Sequence, residues 1–274
     1  MDMPKYFVLN DGHKVPSVGL GTFQGDEGNS KVKEAVKLAL KLGYRHIDGA
    51  AAYGNEREIG QGIKESGVPR EEIFVTSKLP QTAHAPASVE KALSQTLKDA
   101  ELDYVPHAYK ADEDLKTIRH ASGNGKPVID YDLSRNYAST WKAMEALVKT
   151  GRAVRYPADG APTPRRAGLW VSFVLMRIFR GQSTIRCLSR QLRSSTALSW
   201  AVQKGIPVVP KSVQEHHLRQ NLQLFRLCDT DFRSIEDLLS RRGPVRFLDP
   251  SPHIGFNIFD EENDQPTSDK APWD

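Results

Sequence analysis

Only two cysteines, Cys187 and Cys228, occur among the 274 residues. That excludes a disulfide framework and a cysteine-built metal site, and leaves two free thiols in a reducing compartment as the expectation. No stretch approaches the roughly 20 apolar residues of a membrane span. Met1 to Asn10 holds no apolar run of signal-peptide length. The formal net charge is only +4, from 38 Lys and Arg against 34 Asp and Glu. So small an excess argues against nucleic acid or a membrane surface as partner. These absences point to a soluble, cytoplasmic protein, expected to be a monomer.

What is present is an ordered alternation. Residues 5–9 and 14–18 flank Asp11-Gly12, the signature of a tight hairpin. A short apolar strand at 19–23 (GLGTF) follows. Val32, Ala35, Val36, Ala39, Leu40 and Leu42 recur at helical spacing over 30–43, with Ser30 as candidate N-cap and Gly43 as stop. Strand 44–50 precedes a helix from Asn55 through Ile59 and Ile63 to Ser66, stopped by Gly67. Strand 73–79 precedes a helix over 88–100 that carries Val89, Ala92, Leu93, Thr96 and Leu97 on one face. Three strand–helix repeats predict βαβ units and a parallel sheet. The length suits a (β/α)₈ barrel, which takes about 250 residues.

The middle of the chain departs from this rhythm. After Val105 a fourth strand is due, but residues 107–137 are polar and read as a long loop. A helix resumes over 139–149. Residues 152–193 then carry nine Arg, no Lys and a single acid, Asp159. That composition fits a basic insert, a nucleic-acid patch, or a stretch not shaped for this fold, as translation across a misassigned splice junction would give. Regular pattern returns with a helix from 196 to Gly205, a strand at 206–210, a helix over 214–225 and another over 230–241 capped by Asp229 or Thr230. The expected organisation is one domain over 1–260 and a C-terminal tail over 261–274.

Candidate chemistry gathers at strand ends, where a parallel barrel keeps its functional residues. Asp48 ends the second strand of the repeat, Tyr53 lies in the loop after it, and Lys78 closes the next strand. A phenol titrates near 10, poorly matched to neutral pH. A neighbouring ammonium favours the phenolate, and a carboxylate holds the ammonium in place. An Asp–Lys–Tyr cluster is thus a tuned general acid for a carbonyl oxygen. The same residue types also fit a plain Asp48–Lys78 pair beside a packed rim aromatic.

The motifs GLGTF (19–23), GYRHIDGAAAYGNEREIGQGI (43–63), VTSKL (75–79), ALSWAVQKGIPVVPKSV (197–213) and RFLDPS with GFNIF (246–251, 255–259) resemble the aldo-keto reductase family. Within it they are most similar to the fungal glycerol dehydrogenase and aldehyde reductase branch. The resemblance implies an α/β fold, a (β/α)₈ TIM barrel. It implies NADPH-dependent reduction of aldehydes or ketones to alcohols without a metal. Tyr53 would be the general acid, tuned by Asp48 and Lys78. Cofactor contacts would come from Gly21, Thr22, Phe23 and Asp48 at the rim, and from Lys211, Ser212 and Val213 with His217 and Asn221 on the next helix. The family places an Arg where His217 stands, so the grip on a 2′-phosphate loses a permanent charge and a bidentate fork.

The chain also departs from the pattern. Val105 runs straight into Pro106 and His107 where the family has a strand ending in a substrate-orienting His. Residues 152–193 match none of the Ser-Asn pair, Gln and stacking aromatic of strands five to seven. The barrel is therefore expected to be incomplete. An impaired remnant acting as a binding protein or folding poorly, and a basic interaction protein, stand as rival readings.

Overall fold

The structure, a computed structural model, describes residues 2–9, 12–25, 28–99, 132, 136–148 and 193–242. Residues 100–131 and 149–192, on which the expectations of a lost fourth strand and replaced later strands fall, lie outside the described residues, as do Cys187 and the tail. The described residues fall into two compact units, one made of 2–78, 96–99 and 193–242, the other of 79–95, 132 and 136–148.

The first unit opens with the predicted hairpin. Strands β1 (Tyr6–Val8) and β2 (Lys14–Pro16) pair antiparallel, with Phe7 opposite Val15. Three parallel strands follow in the order β3 (Leu20–Gly21), β4 (His46–Asp48) and β5 (Phe74–Thr76). Helix α1 (Val32–Lys41) connects the first two and α2 (Glu56–Ser66) the second and third. These are the βαβ units that the alternation predicts. The strands are shorter than their apolar runs, because only their central residues face a neighbour on the ladder.

Helix α1 buries Val32, Ala35, Val36, Ala39 and Leu40, the stripe read from the sequence. Its start differs from expectation. Ser30 lies within a 3₁₀ turn, Asn29–Lys31, and the residue before α1 is Lys31, with no side-chain cap. The tight turn meets the first helical N–H groups by local backbone bonds, which removes the need for a capping hydroxyl. Helix α2 runs as predicted from Asn55 to Gly67, which takes a left-handed φ of 75°.

The predicted strand at 206–210 pairs only at isolated points, Val18 with Val208 and Gly21 with Lys211, both parallel. Gly19 N donates to Val208 O at 2.8 Å and Val208 N to Ser17 O at 2.9 Å. Pro207 and Pro210 lack an N–H, so a continuous ladder cannot form. The segment nevertheless lies beside β3, giving the order 206–211, β3, β4, β5.

Helices α5 (Arg193–Gln203), α6 (Glu215–Leu222) and α7 (Asp229–Arg242) complete the unit. The core joins both ends of the chain: Leu20, Val36, Leu40, Ile47 and Ile59 pack in one cluster with Ala201, Val202, Val208 and Leu218. Each fully buried aliphatic side chain contributes roughly 1.5–3 kcal/mol. Tyr44, 1% exposed, donates its hydroxyl to Leu218 O at 3.0 Å. In the second unit, Val89, Ala92 and Leu93 of α3 (Pro86–Asp99) and Leu147 of α4 (Tyr137–Val148) are buried. Thr140 donates its hydroxyl to His84 O.

Helices α1 and α2 touch at Gly62. A Cβ there would stand 2.6 Å from Lys33 O and 2.8 Å from Val36 Cβ. Gly62→Ala forces the helices apart although alanine is the better helix former. We expect a loss of roughly 1–3 kcal/mol by urea denaturation; unchanged or raised stability would show that the contact yields freely.

Candidate active site

The parallel register fixes a row of residues at the carboxyl ends of the strands. Lys211 stands beside Gly21, Gly21 beside Asp48, and Asp48 beside Thr76. Gly21 is required there: a Cβ would lie 2.6 Å from Val209 O. Thr22, 2% exposed, donates its hydroxyl to Asp48 O at 2.9 Å and so ties β3 to the end of β4.

Asp48 is 5% exposed, and each oxygen of its carboxylate accepts from one donor. Thr76 Oγ1 donates to Oδ1 at 2.7 Å, and Lys78 Nζ donates to Oδ2 at 2.8 Å. Lys78 also donates to Gly49 O at 2.7 Å. A carboxylate taken from water needs this pairing. The same ammonium lies 5.2 Å from the centre of the Tyr53 ring. The three residues picked out by type and spacing are therefore neighbours.

The loop holding Tyr53 is braced from beneath. Tyr53 closes a 3₁₀ turn, Ala51–Tyr53, and Gly54 leaves it with a φ of 64°. Asn29 donates its amide to Tyr53 O at 3.1 Å, and Asn55 donates to Thr22 O at 2.9 Å and to Asn29 Oδ1 at 3.1 Å. Phe23, half exposed, leans on Tyr53 with ring centres 5.0 Å apart. Among the described residues the Tyr53 hydroxyl makes no hydrogen bond.

The second group of candidates lies around the start of α6. Lys211 is half-buried and has no ion pair among the described residues. Ser212 is buried, and its hydroxyl accepts from Gln214 N at 3.1 Å, which shapes the turn into the helix. Val213 is half-buried, while His217 is exposed, its ring tilted against that of His216 with centres 3.9 Å apart. Asn221 is buried on the same helix as Leu218, whose carbonyl accepts from the Tyr44 hydroxyl. Burial pushes that phenol's pKa up, and the nearby Asn221 side chain opposes the rise.

Sequence reading passed over His46, Thr76, Asn29 and Asn55. The signal for the first two was strand alternation: His46 shares a face with Asp48, and Thr76 with Lys78. His46 Nε2 lies 3.1 Å from Thr76 Oγ1. Burial lowers the His46 pKa from 6.5 to about 4; the charges of Asp48 and Lys78 act in opposite directions on it.

Parallel strands alternating with helices, with a phenol, an ammonium and a carboxylate gathered at their carboxyl ends, define an α/β protein and mark that rim as its candidate site. A profile of the Aldo/keto reductase family matches residues 17–156. Glycerol 2-dehydrogenase (NADP(+)) of Saccharomyces cerevisiae is 32% identical over 94% of this chain and 98% of its own length. Aldo-keto reductase family 1 member A1 of Homo sapiens is 48% identical over 53% of this chain, but this chain covers only 46% of that protein. The solved aldose reductase of Schistosoma japonicum is similar with a TM-score of 0.74 and 28% identity, over 96% of this chain and all of that one. The chain belongs to the aldo/keto reductase family, and its fold is the α/β TIM barrel. Because two of these likenesses run through nearly the whole chain, a degraded remnant is not the favoured reading.

The His46 environment sets a pH dependence. Its folded pKa, about 4, lies below the ordinary 6.5, so the unfolded chain binds the extra proton between those values. Stability should fall as pH drops from 6.5 towards 4, by up to roughly 3 kcal/mol at the lower end. Urea melts across this range check it; a His46→Gln profile as steep as that of the unaltered protein would refute the attribution.

Proposed function

We propose that the chain catalyses the reversible, NADPH-dependent reduction of small aldehydes or ketones to alcohols, with Tyr53 delivering the proton. The observation that carries this reading is the Lys78 ammonium, held by Asp48 at 2.8 Å and lying 5.2 Å from the Tyr53 ring. The names of the relatives, a glycerol 2-dehydrogenase (NADP(+)) and an aldose reductase, support it.

The chain's own donor set fits the cofactor. Lys211 brings a cation without an ion pair among the described residues to the turn before α6, and a helix start favours anions. Lys211 would hold the 2′-phosphate with His217 nearby on the helix, and Ser212 and Val213 would form the turn. Asn221 would meet the adenine; Gly21, Thr22, Phe23 and Asp48 would line the rim. When bound, NADPH supplies the hydride to the carbonyl carbon.

Asp48 holds Lys78 beside the Tyr53 ring, and Tyr53 Oη passes its proton to the carbonyl oxygen. In the alcohol-oxidising direction the same oxygen takes the proton back. Phe23, half exposed and leaning on Tyr53, shields one side of this group from water.

We read 1–260 as one barrel domain with 261–274 as its tail, acting as a cytoplasmic monomer. We also propose that the barrel wall departs from the family's after Val105, where the fourth strand is due, and over residues 152–193, because the sequence of 152–193 matches none of its nicotinamide-holding residues. A crystal structure with a complete fourth to seventh strand would overturn that.

Two measurements test the site. Tyr53→Phe should lower aldehyde-dependent NADPH oxidation at least about a hundredfold; undiminished turnover would remove the assignment. Lys211→Met should weaken NADPH by about ten- to a hundredfold, the worth of a charge-assisted hydrogen bond, and barely affect NADH. Equal losses for both cofactors would count against the phosphate role.

A further inference from the structure

The two oxygens of Asp48 have different partners. Oδ2 takes Lys78, and Oδ1 takes the hydroxyl of Thr76. Behind Thr76 stands His46, with Nε2 at 3.1 Å from the same hydroxyl oxygen. His46, Asp48 and Thr76 are 2%, 5% and 6% exposed, so water does not compete for these bonds. Neither Thr76 nor His46 has a task in the reaction described above.

We propose that Thr76 is a positioning residue for the proton donor, and that the ring of His46 sets the direction in which the Thr76 hydroxyl points. This rests on the reading of Asp48, Lys78 and Tyr53 as the proton-delivering group. A hydroxyl has one proton to give, and an ionised carboxylate can only accept. The charge-assisted bond is roughly twice as strong as a neutral one, so the proton of Thr76 goes to Asp48. Thr76 Oγ1 is then an acceptor towards His46, and the ring meets it with an Nε2–H.

The opposite tautomer would present a lone pair at Nε2 and compete with Asp48 for the single Thr76 proton. An Nε2–H is thus the tautomer that leaves the bond pinning Asp48 uncontested. Burial keeps the ring neutral at physiological pH, so the choice lies between the two neutral forms. Nδ1 has no hydrogen bond of good geometry, and a Cβ on Gly19 would lie 2.6 Å from it. The competing state carries the proton on Nδ1, where it meets no hydrogen-bond partner among the described residues.

With Oδ1 fixed, the carboxylate cannot turn about its own bond. Oδ2 stays on Lys78, and Lys78 stays over Tyr53. Thr76 acts through two other residues and touches no substrate. The parallel register supplies the geometry, since Asp48 and Thr76 are direct neighbours across β4 and β5.

The test uses the full chain with Thr76→Val, which keeps the shape and removes the donor, and Thr76→Ser, which keeps the donor. Turnover and KM are measured with glyceraldehyde, and NADPH affinity by fluorescence titration. Long-range ¹H–¹⁵N spectra report the ring nitrogens of His46. Thr76→Val should lower kcat about tenfold or more, the scale of a small misplacement at a reacting centre. KM and NADPH affinity should stay within about twofold, and Thr76→Ser should recover most of kcat. In the unaltered protein the His46 proton should sit on Nε2. Full turnover in Thr76→Val, or a proton on Nδ1, overturns the proposal. If Thr76→Val does not fold, the tautomer and the serine variant still decide. Should Tyr53→Phe keep full turnover, the underlying reading fails. Should it lose turnover while Thr76→Val keeps it, only the positioning role fails.

Discussion

The buried carboxylate of Asp48 is the constraint around which this site is arranged. An ionised carboxylate away from water costs several kcal/mol unless donors replace its hydration. Lys78 and Thr76 supply them at 2.8 and 2.7 Å. Both donors come from the end of β5, so the carboxylate is satisfied only when β4 and β5 lie parallel in their observed register. A slip of one residue would turn Thr76 to the other face of the sheet and leave the charge unpaired. The electrostatic requirement and the strand alignment thus enforce one another.

The same alignment extends in the other direction. Gly21 beside Asp48 and Lys211 beside Gly21 bring a residue from late in the chain to the start of the row. Here the backbone prevails over side chains: Gly21 leaves no room for a Cβ, and two prolines limit the late segment to isolated bridges. Tyr44 makes a second tie, burying its ring in the core and donating its hydroxyl to Leu218 O of α6. The helix that follows Lys211 is therefore anchored to the residue that precedes β4. Candidate anion-binding and proton-donating groups share one scaffold, although some 160 residues separate Asp48 from Lys211 in sequence.

Much of this was legible because it is local. The apolar stripe of α1, the stop of α2 at Gly67 and the antiparallel pairing of β1 with β2 follow from side-chain period and from glycine, and each lies where the pattern put it. Asp48 and Lys78 were legible by type and by their positions at strand ends, and Tyr53 by type in the loop that follows Asp48. Ser30 misled because a 3₁₀ turn met the helix's first N–H groups without a side chain. The strand at 206–210 came out as two bridges because a propensity reading counts Val208 and Val209 but not the missing N–H groups of the prolines.

By itself the sequence determined which segments are helices, which residues face a core, and that a phenol, an ammonium and a carboxylate stand at the ends of successive strands. These depend on periodicities of 3.6 and 2, which are properties of neighbouring residues. Only the tertiary structure decided that Thr76 takes one oxygen of Asp48 and Lys78 the other, that His46 stands behind Thr76, and that Asn29 and Asn55 brace the Tyr53 loop. Those contacts join residues 24 to 33 positions apart, through strand register and side-chain direction. No local pattern encodes them, because they exist only once the parallel strands have come together.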